Sequence, residues 1–176
     1  MKIVIMGPQG CGKSTQAEKI SEKLNIPHIS SGDIFRKLEK SSTDLGKRVW
    51  KALSSGELVS DEDTMLVIGE ELSKGEYSSG FILDGFPRNL YQAEHSPFNP
   101  DIVLYLDVPE SVSFERLIER KREDDTPELI KRRLSEYHKN TAPVLDYYRK
   151  SGILKTFNGA QKIELLNKEL MEALNT

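Results

Sequence analysis

Gly7-Pro8-Gln9-Gly10-Cys11-Gly12-Lys13-Ser14 is a complete G-x-x-x-x-G-K-[ST] run, and its neighbours on both sides are the ones that motif requires. The β-branched stretch Lys2-Ile3-Val4-Ile5-Met6 leads in as a strand. Ala17, Ile20 and Leu24, spaced i, i+3, i+7, lead out as a helix. Glycines let the backbone curl until successive N–H groups point inward, and the following helix adds its positive N-terminal end. Lys13 supplies a mobile point charge for outer phosphates, and Ser14 a hydroxyl for Mg2+. A strand, loop and helix of this composition point to a bound nucleoside triphosphate, with Gly10, Cys11, Gly12, Lys13, Ser14 and Thr15 around its phosphates.

At 176 residues the chain can bury a sizeable single core. A net charge of −3 offers no electrostatic reason for nucleic acid or an anionic membrane as partner. Apolar runs no longer than about five residues, such as 3–6, are far too short to span a bilayer, and no signal peptide is expected before the first strand. Cys11, the one cysteine, cannot form an internal disulfide and fits a reducing compartment, so a cytoplasmic location is expected. Its place in the loop reads as a thiol tolerated for size rather than a redox switch. His28, His95 and His138 are scattered, and no spacing suits structural zinc.

Apolar runs of strand length recur at 2–6, near 26–29, and at 81–84, 101–107 and 153–157, with helical patterns between them. This alternation predicts an α/β fold with βαβ units and a parallel sheet covered on both faces. Ser111 is expected to cap the helix after Pro109. Thr126-Pro127-Glu128 is a strong helix start, followed by Leu129, Ile130, Leu134 and Tyr137 as one apolar face. Ile163, Leu166, Leu170 and Leu174 form the core stripe of the last helix. Residues 30–59 read as a polar helical insertion whose small apolar faces are Ile34, Phe35 and Leu38, then Val49, Trp50 and Leu53. Such a segment rests on the main core as a flap. Residues 121–126 form a short charged joint.

A second constellation, Asp84-Gly85-Phe86-Pro87-Arg88, follows the strand at 81–83. In a parallel sheet it lies at the same edge as the phosphate loop, where Asp84 can hold Mg2+ through water and the turn aims Arg88 across the crevice. Arg116 and Arg120 stand i, i+4 on one helix face beside a row of Glu115, Glu119 and Glu123. With Arg36, Arg88, Arg122 and Arg133 they compose a possible cationic set for bidentate grip on phosphate oxygens. A solvated salt-bridge face is the alternative reading of the helix.

Four segments together resemble adenylate kinase and its nucleoside-monophosphate kinase relatives. They are residues 7–15, Ser30-Ser31-Gly32-Asp33-Ile34-Phe35-Arg36, the Asp84 to Arg88 run, and Arg133-Leu134-Ser135-Glu136-Tyr137-His138 leading into Thr141-Ala142-Pro143. The match runs in order from residue 1 to about 160. The resemblance implies a phosphate-loop NTPase of three αβα layers with a five-stranded parallel sheet, a helical monophosphate-binding insertion and a lid, which this sequence makes very short. On that basis the core comprises 1–29, 60–116 and 128–176, the AMP-binding flap 30–59 and the lid 117–127.

The resemblance also assigns roles. Lys13 and Arg88 are expected to contact the transferring phosphoryl group, with Arg120, Arg122 and Arg133 closing around it. Arg116 corresponds to the residue lying against the ATP adenine, and Gln161 to a backbone contact beside that base. Ser31, Arg36, the Glu57-Leu58-Val59 backbone, Gly85, Phe86, Pro87, Arg88, Gln92, Arg122 and Arg133 correspond to the AMP site. Mg2+ accompanies ATP, held by Ser14 and by Asp84 through water, and the expected assembly is a monomer.

Acceptor choice rests on two residues. Gln92 stands where AMP kinases of the family carry Gln, whereas Asn89 is more usual in the pyrimidine branch. An amide can accept from the adenine amine while donating to a ring nitrogen. The lid departs further: the family's Ser-Gly-Arg segment and the four-cysteine zinc site of some long lids are missing. Poorer exclusion of water and some ATP hydrolysis are expected. The reading is thus MgATP + AMP ⇌ 2 ADP. A UMP/CMP kinase, a small kinase acting on a non-nucleotide metabolite, and a non-catalytic nucleotide-binding switch or scaffold stay open as rivals.

Overall fold

The computed structural model describes residues 1–120, 122 and 125–175. Five strands, β1 (Lys2–Met6), β2 (His28–Ser30), β3 (Phe81–Asp84), β4 (Ile102–Asp107) and β5 (Leu154–Asn158), form one sheet in the order β2-β3-β1-β4-β5. Every pairing is parallel, with Val4 opposite both Leu83 and Val103. The first strand shows why the sheet is buried on both sides. Ile3 and Ile5 face one layer and Val4 and Met6 the other, all within 4% of full burial. Each such aliphatic side chain contributes about 1.5–3 kcal/mol on leaving water.

Two helices cover the Ile3 face, α1 (Lys13–Leu24) through Ala17 and Ile20, and α9 (Ile163–Leu174) through Leu166, Leu170 and Leu174. Buried amides join them: Asn167 Nδ2 donates to Gln16 Oε1 at 3.0 Å, and Gln16 Nε2 to the Ile163 carbonyl at 3.0 Å. Ile163 itself is 46% exposed, so the expected stripe begins one turn later, because its helix position faces water. The opposite face is covered by α4 (Asp61–Leu72) and α8 (Ala142–Lys150) through Ile68, Val144 and Tyr148.

Between β2 and α4 lie α2 (Ser31–Leu38) and α3 (Asp44–Ser55), each opened by a hydroxyl cap: Ser30 accepts from Asp33 N and Thr43 from Gly46 N. Phe35 and Val49 form a small core with Val59 and Val67, the last contributed by α4. Trp50 departs from the expected apolar face; at 58% exposure it stands on the cleft side of α3 instead. After β3 comes α5 (Leu90–Glu94), and after β4 comes α6 (Glu110–Arg120). Ser111 lies inside the first turn of α6 rather than at its cap, since the helix already begins at Glu110.

Thr126 caps α7 (Pro127–Glu136) by accepting from Leu129 N at 3.3 Å, as its sequence dictates. Ile130 and Leu134 are buried there with Leu117 of α6, while Leu129 lines the cleft. Tyr137–Thr141 widens into a π-turn before α8. Lys121, Glu123 and Asp124, which belong to the expected lid and acidic row, lie outside the described residues. Among the described residues no helix is long and apolar enough to cross a membrane.

Candidate active site

The carboxyl ends of β1 and β3 open onto a cleft of about 1110 Å3, bounded by the phosphate loop, α2, α3 and the starts of α4 and α7. Its floor is the loop after β1. Gly10 (φ 82) and Gly12 (φ 90) take the left-handed conformation. A Cβ on Gly10 would stand 2.5 Å from the Ser113 carbonyl oxygen, so α6 approaches too closely for any side chain. Gly12 caps α1 with no side chain in the way, leaving the helix N–H groups directed at the cleft.

Lys13 folds back on this loop, its Nζ donating to the Pro8 carbonyl at 3.1 Å. Ser14 Oγ donates to Asp84 Oδ2 at 2.5 Å, joining the loop to the end of β3. Asp84 is 3% exposed, and His28 Nε2 stands 3.8 Å from it, too far for a hydrogen bond. Burial opposes its ionisation, yet the positive charges of Lys13 and Arg88 and the Ser14 hydroxyl together hold the carboxyl below the usual carboxylate range. An ionised carboxylate beside a hydroxyl suits a hard cation that takes one or two carboxylates and completes its shell with phosphates and water, which is Mg2+. Among the described residues no cluster of three or more His, Cys, Asp or Glu could hold a metal unaided.

Cys11 is 1% exposed, and burial, partly offset by Lys13, pushes its thiol above the ordinary value. A protonated, inaccessible thiol is a packing group, as its loop position suggests.

Arg88 is held at three points, one on its side chain and two on its backbone. Its Nε donates to the Gly85 carbonyl at 2.6 Å, its own N–H to Gln92 Oε1 at 2.8 Å, and its carbonyl accepts from Thr141 Oγ1 at 2.6 Å. Burial pushes the guanidinium down from its ordinary value, with Asp84 acting the other way. A desolvated cation aimed into a cleft is a receptor for an anion.

On the lid side, Arg120 binds Asp125 through two hydrogen bonds at 2.8 and 2.7 Å, and Arg133 Nη1 stands 3.5 Å from the same carboxylate. Arg122 lines the cleft near Asp33. Arg116 donates to the Gly159 and Ala160 carbonyls at 3.0 and 3.4 Å, beside the loop that carries Gln161. The Gln161 side chain turns to Glu169 at 2.7 Å, and Gln161 is not among the residues that line the cleft.

On the flap side, Ser31 is buried at 1%, Arg36 Nη2 meets Asp33 at 2.5 Å, and Glu57, Leu58 and Val59 border the cleft. Glu57 also accepts from Arg132 of α7 at 2.6 Å, so the loop after α3 touches α7. Gly85 and Gln92 complete this end, while Phe86 is buried beneath it at 1%.

The match to known proteins now decides the family. Residues 5–153 fit the family model described as Adenylate kinase. The chain belongs to the adenylate kinase family. An adenylate kinase of Cyanothece sp. is 47% identical over 171 residues, covering 91% of this chain and 88% of its own. One from Clostridium kluyveri is 38% identical over 212 aligned positions, covering 99% and 98%, so it carries residues that this chain lacks. Adenylate kinase 1 of Nostoc sp. is 41% identical over 182 residues, covering 99% of each. Family membership makes the chain a nucleoside-monophosphate kinase of the ATP:AMP phosphotransferase type.

In this adenylate kinase family member the candidate residues expected at the phosphates do converge on one cleft: Lys13, Ser14, Arg88, Arg120, Arg122 and Arg133 all border it. Sequence reasoning gave no role to Asp125, Asp61 or Thr141, although Thr141 lies in a segment that carries the resemblance. Each acts by holding a candidate binding residue, and no spacing rule announces such a partner.

Proposed function

We propose that this chain catalyses MgATP + AMP ⇌ 2 ADP, with ATP on the phosphate loop and AMP under the flap at 30–59. The observation that supports this best is the position of Arg88, fixed at its backbone and at Nε between the Lys13–Asp84 end and the Gln92–Ser31 end of one cleft. Two anionic substrates meeting head to head bring their phosphates to that point. Lys13, Arg88, Arg120, Arg122 and Arg133 then surround the transferring group, Arg116 lies against the ATP base, and Arg36 takes the AMP phosphate.

An AMP phosphate oxygen attacks the γ-phosphorus in line. It is already ionised near neutral pH, so no general base is required. Rate enhancement comes from positioning and from preorganised positive charge over the three equatorial oxygens. Ser14, with Asp84 through water, would hold Mg2+, which neutralises charge on the outer phosphates. The domain division follows: a core of 1–29, 60–116 and 128–176, a flap of 30–59 and a short lid of 117–127. We assign it to the cytosol as a monomer.

Asn89 was the argument for a pyrimidine acceptor. Its side chain caps α5, accepting from Gln92 N at 2.9 Å, and donates to Asp61 at 2.7 Å, so it is committed to the fold. That commitment favours AMP. Coupled assays with AMP, CMP and UMP test the choice, and ADP formed fastest with CMP or UMP overturns it. The same assay without AMP measures ATP hydrolysis, which a short lid should permit at a small fraction of the transfer rate.

A further inference from the structure

The amide of Gln92 has two faces, and one of them is fixed by a carboxylate outside the expected substrate contacts. Gln92 is 1% exposed, and its Nε2 donates to Asp61 Oδ1 at 2.7 Å. Its Oε1 accepts from the Arg88 N–H at 2.8 Å. Asp61, the first residue of α4, also accepts from Asn89 Nδ2 at 2.7 Å on the same oxygen. A carboxylate offers only lone pairs, and a backbone N–H only a proton. Turning the amide over would set oxygen against oxygen at Asp61 and N–H against N–H at Arg88. One orientation is therefore enforced from both sides.

We propose that Asp61 is a specificity-determining positioning residue that locks the Gln92 amide so that it recognises an amine beside an unprotonated ring nitrogen. This rests on the reading that Gln92 faces the acceptor base. With one lone pair of Oε1 and one proton of Nε2 already used, the amide presents a single acceptor and a single donor to the cleft. Adenine and cytosine supply the complementary pair, an exocyclic amine next to a bare ring nitrogen. Hypoxanthine, guanine and uracil present the reverse, a carbonyl next to a ring N–H, and meet oxygen with oxygen. The lock thus selects by hydrogen-bond polarity, and base size is left to the pocket walls at Val59 and Thr64.

The test compares kcat/KM for AMP and inosine monophosphate, two acceptors of nearly identical shape and opposite polarity. Wild type should prefer AMP strongly. In Asp61→Leu the amide keeps only the Arg88 contact, and the AMP:IMP ratio should fall at least about tenfold, the fold-change for losing one hydrogen bond to a charged group. Asp61→Asn retains an oxygen that can accept from Gln92 and should preserve most of the ratio. Should Asp61→Leu not fold, Asp61→Ala removes the same acceptor and is read in the same way. Equal losses for both acceptors, or an unchanged ratio, overturn the lock and leave AMP as acceptor intact. A wild type that uses AMP and IMP equally overturns both.

Discussion

Arg120 grips Asp125 through two parallel hydrogen bonds, Nε to Oδ2 at 2.8 Å and Nη2 to Oδ1 at 2.7 Å, around a carboxylate wholly shielded from solvent. Arg133 shares that carboxylate at 3.5 Å. Two guanidinium groups on one cleft wall repel each other, and Asp125 is the counter-charge that holds them side by side. Asp125→Ala removes it. Turnover should fall about tenfold or more as the arginines lose their common anchor, the effect of deleting a charge-assisted contact. Stability should fall by about 1–3 kcal/mol, less than for a fully buried pair because Arg120 is a third exposed. Steady-state kinetics and thermal melting measure the two, and unchanged turnover would show that the arginines need no anchor.

Arg88 carries the sharpest catalytic prediction. Arg88→Ala removes a preorganised donor at the meeting point of the phosphates and should lower kcat by at least about 10²-fold, as for one donor worth roughly 3–4 kcal/mol. Arg88→Lys should restore little, because an ammonium cannot reproduce the planar fork that reaches Gly85 as well as a phosphate. A loss below about fivefold in kcat would remove Arg88 from this role.

Trp50, the one tryptophan, lies on the cleft side of α3 at 58% exposure. Its emission should shift to the blue when a bisubstrate analogue spanning both sites draws the flap over the cleft and removes the indole from water. Titration by intrinsic fluorescence checks this. An emission maximum unmoved at saturation would mean that the flap does not close on that side.

Asp63 and Arg48 fasten α3 to α4 by hydrogen bonds of 2.8 and 2.6 Å. The Arg48 guanidinium holds the Asp63 carboxyl below its ordinary value, against burial and with help from Ser60. A folded value below the unfolded one means that the contribution is fully present above about pH 4 and is lost as pH falls through the folded value. Asp63→Asn should therefore melt below wild type at neutral pH, and the gap should close progressively under pH 4. A gap independent of pH would assign the effect to packing.

Most of the order of structure along this chain was legible from periodicity and caps, although Ser111 falls inside α6 rather than at its start. Residues 2–6 alternate across a sheet buried on both faces, and Thr126-Pro127 starts a helix where its chemistry requires. The left-handed backbone at Gly10 and Gly12 is a local requirement, so the phosphate loop too could be read before folding, whereas the approach of α6 to Gly10 is a tertiary contact. Local errors fell where a neighbour in space decided the outcome. Trp50 has helical spacing for the flap core but faces the cleft, and Ile163 continues a stripe that no partner covers.

Sequence by itself determined the fold class, the phosphate loop and the set of arginines, because each is legible from local periodicity, motif spacing or residue type. Only the tertiary structure decided which arginine has which counter-charge. It also decided what orients Gln92, across the separation from position 61 to 92, and what anchors Arg88, from position 141. Such pairings form when distant strand ends and helix starts meet at one sheet edge, and the chain carries no local periodicity that records them.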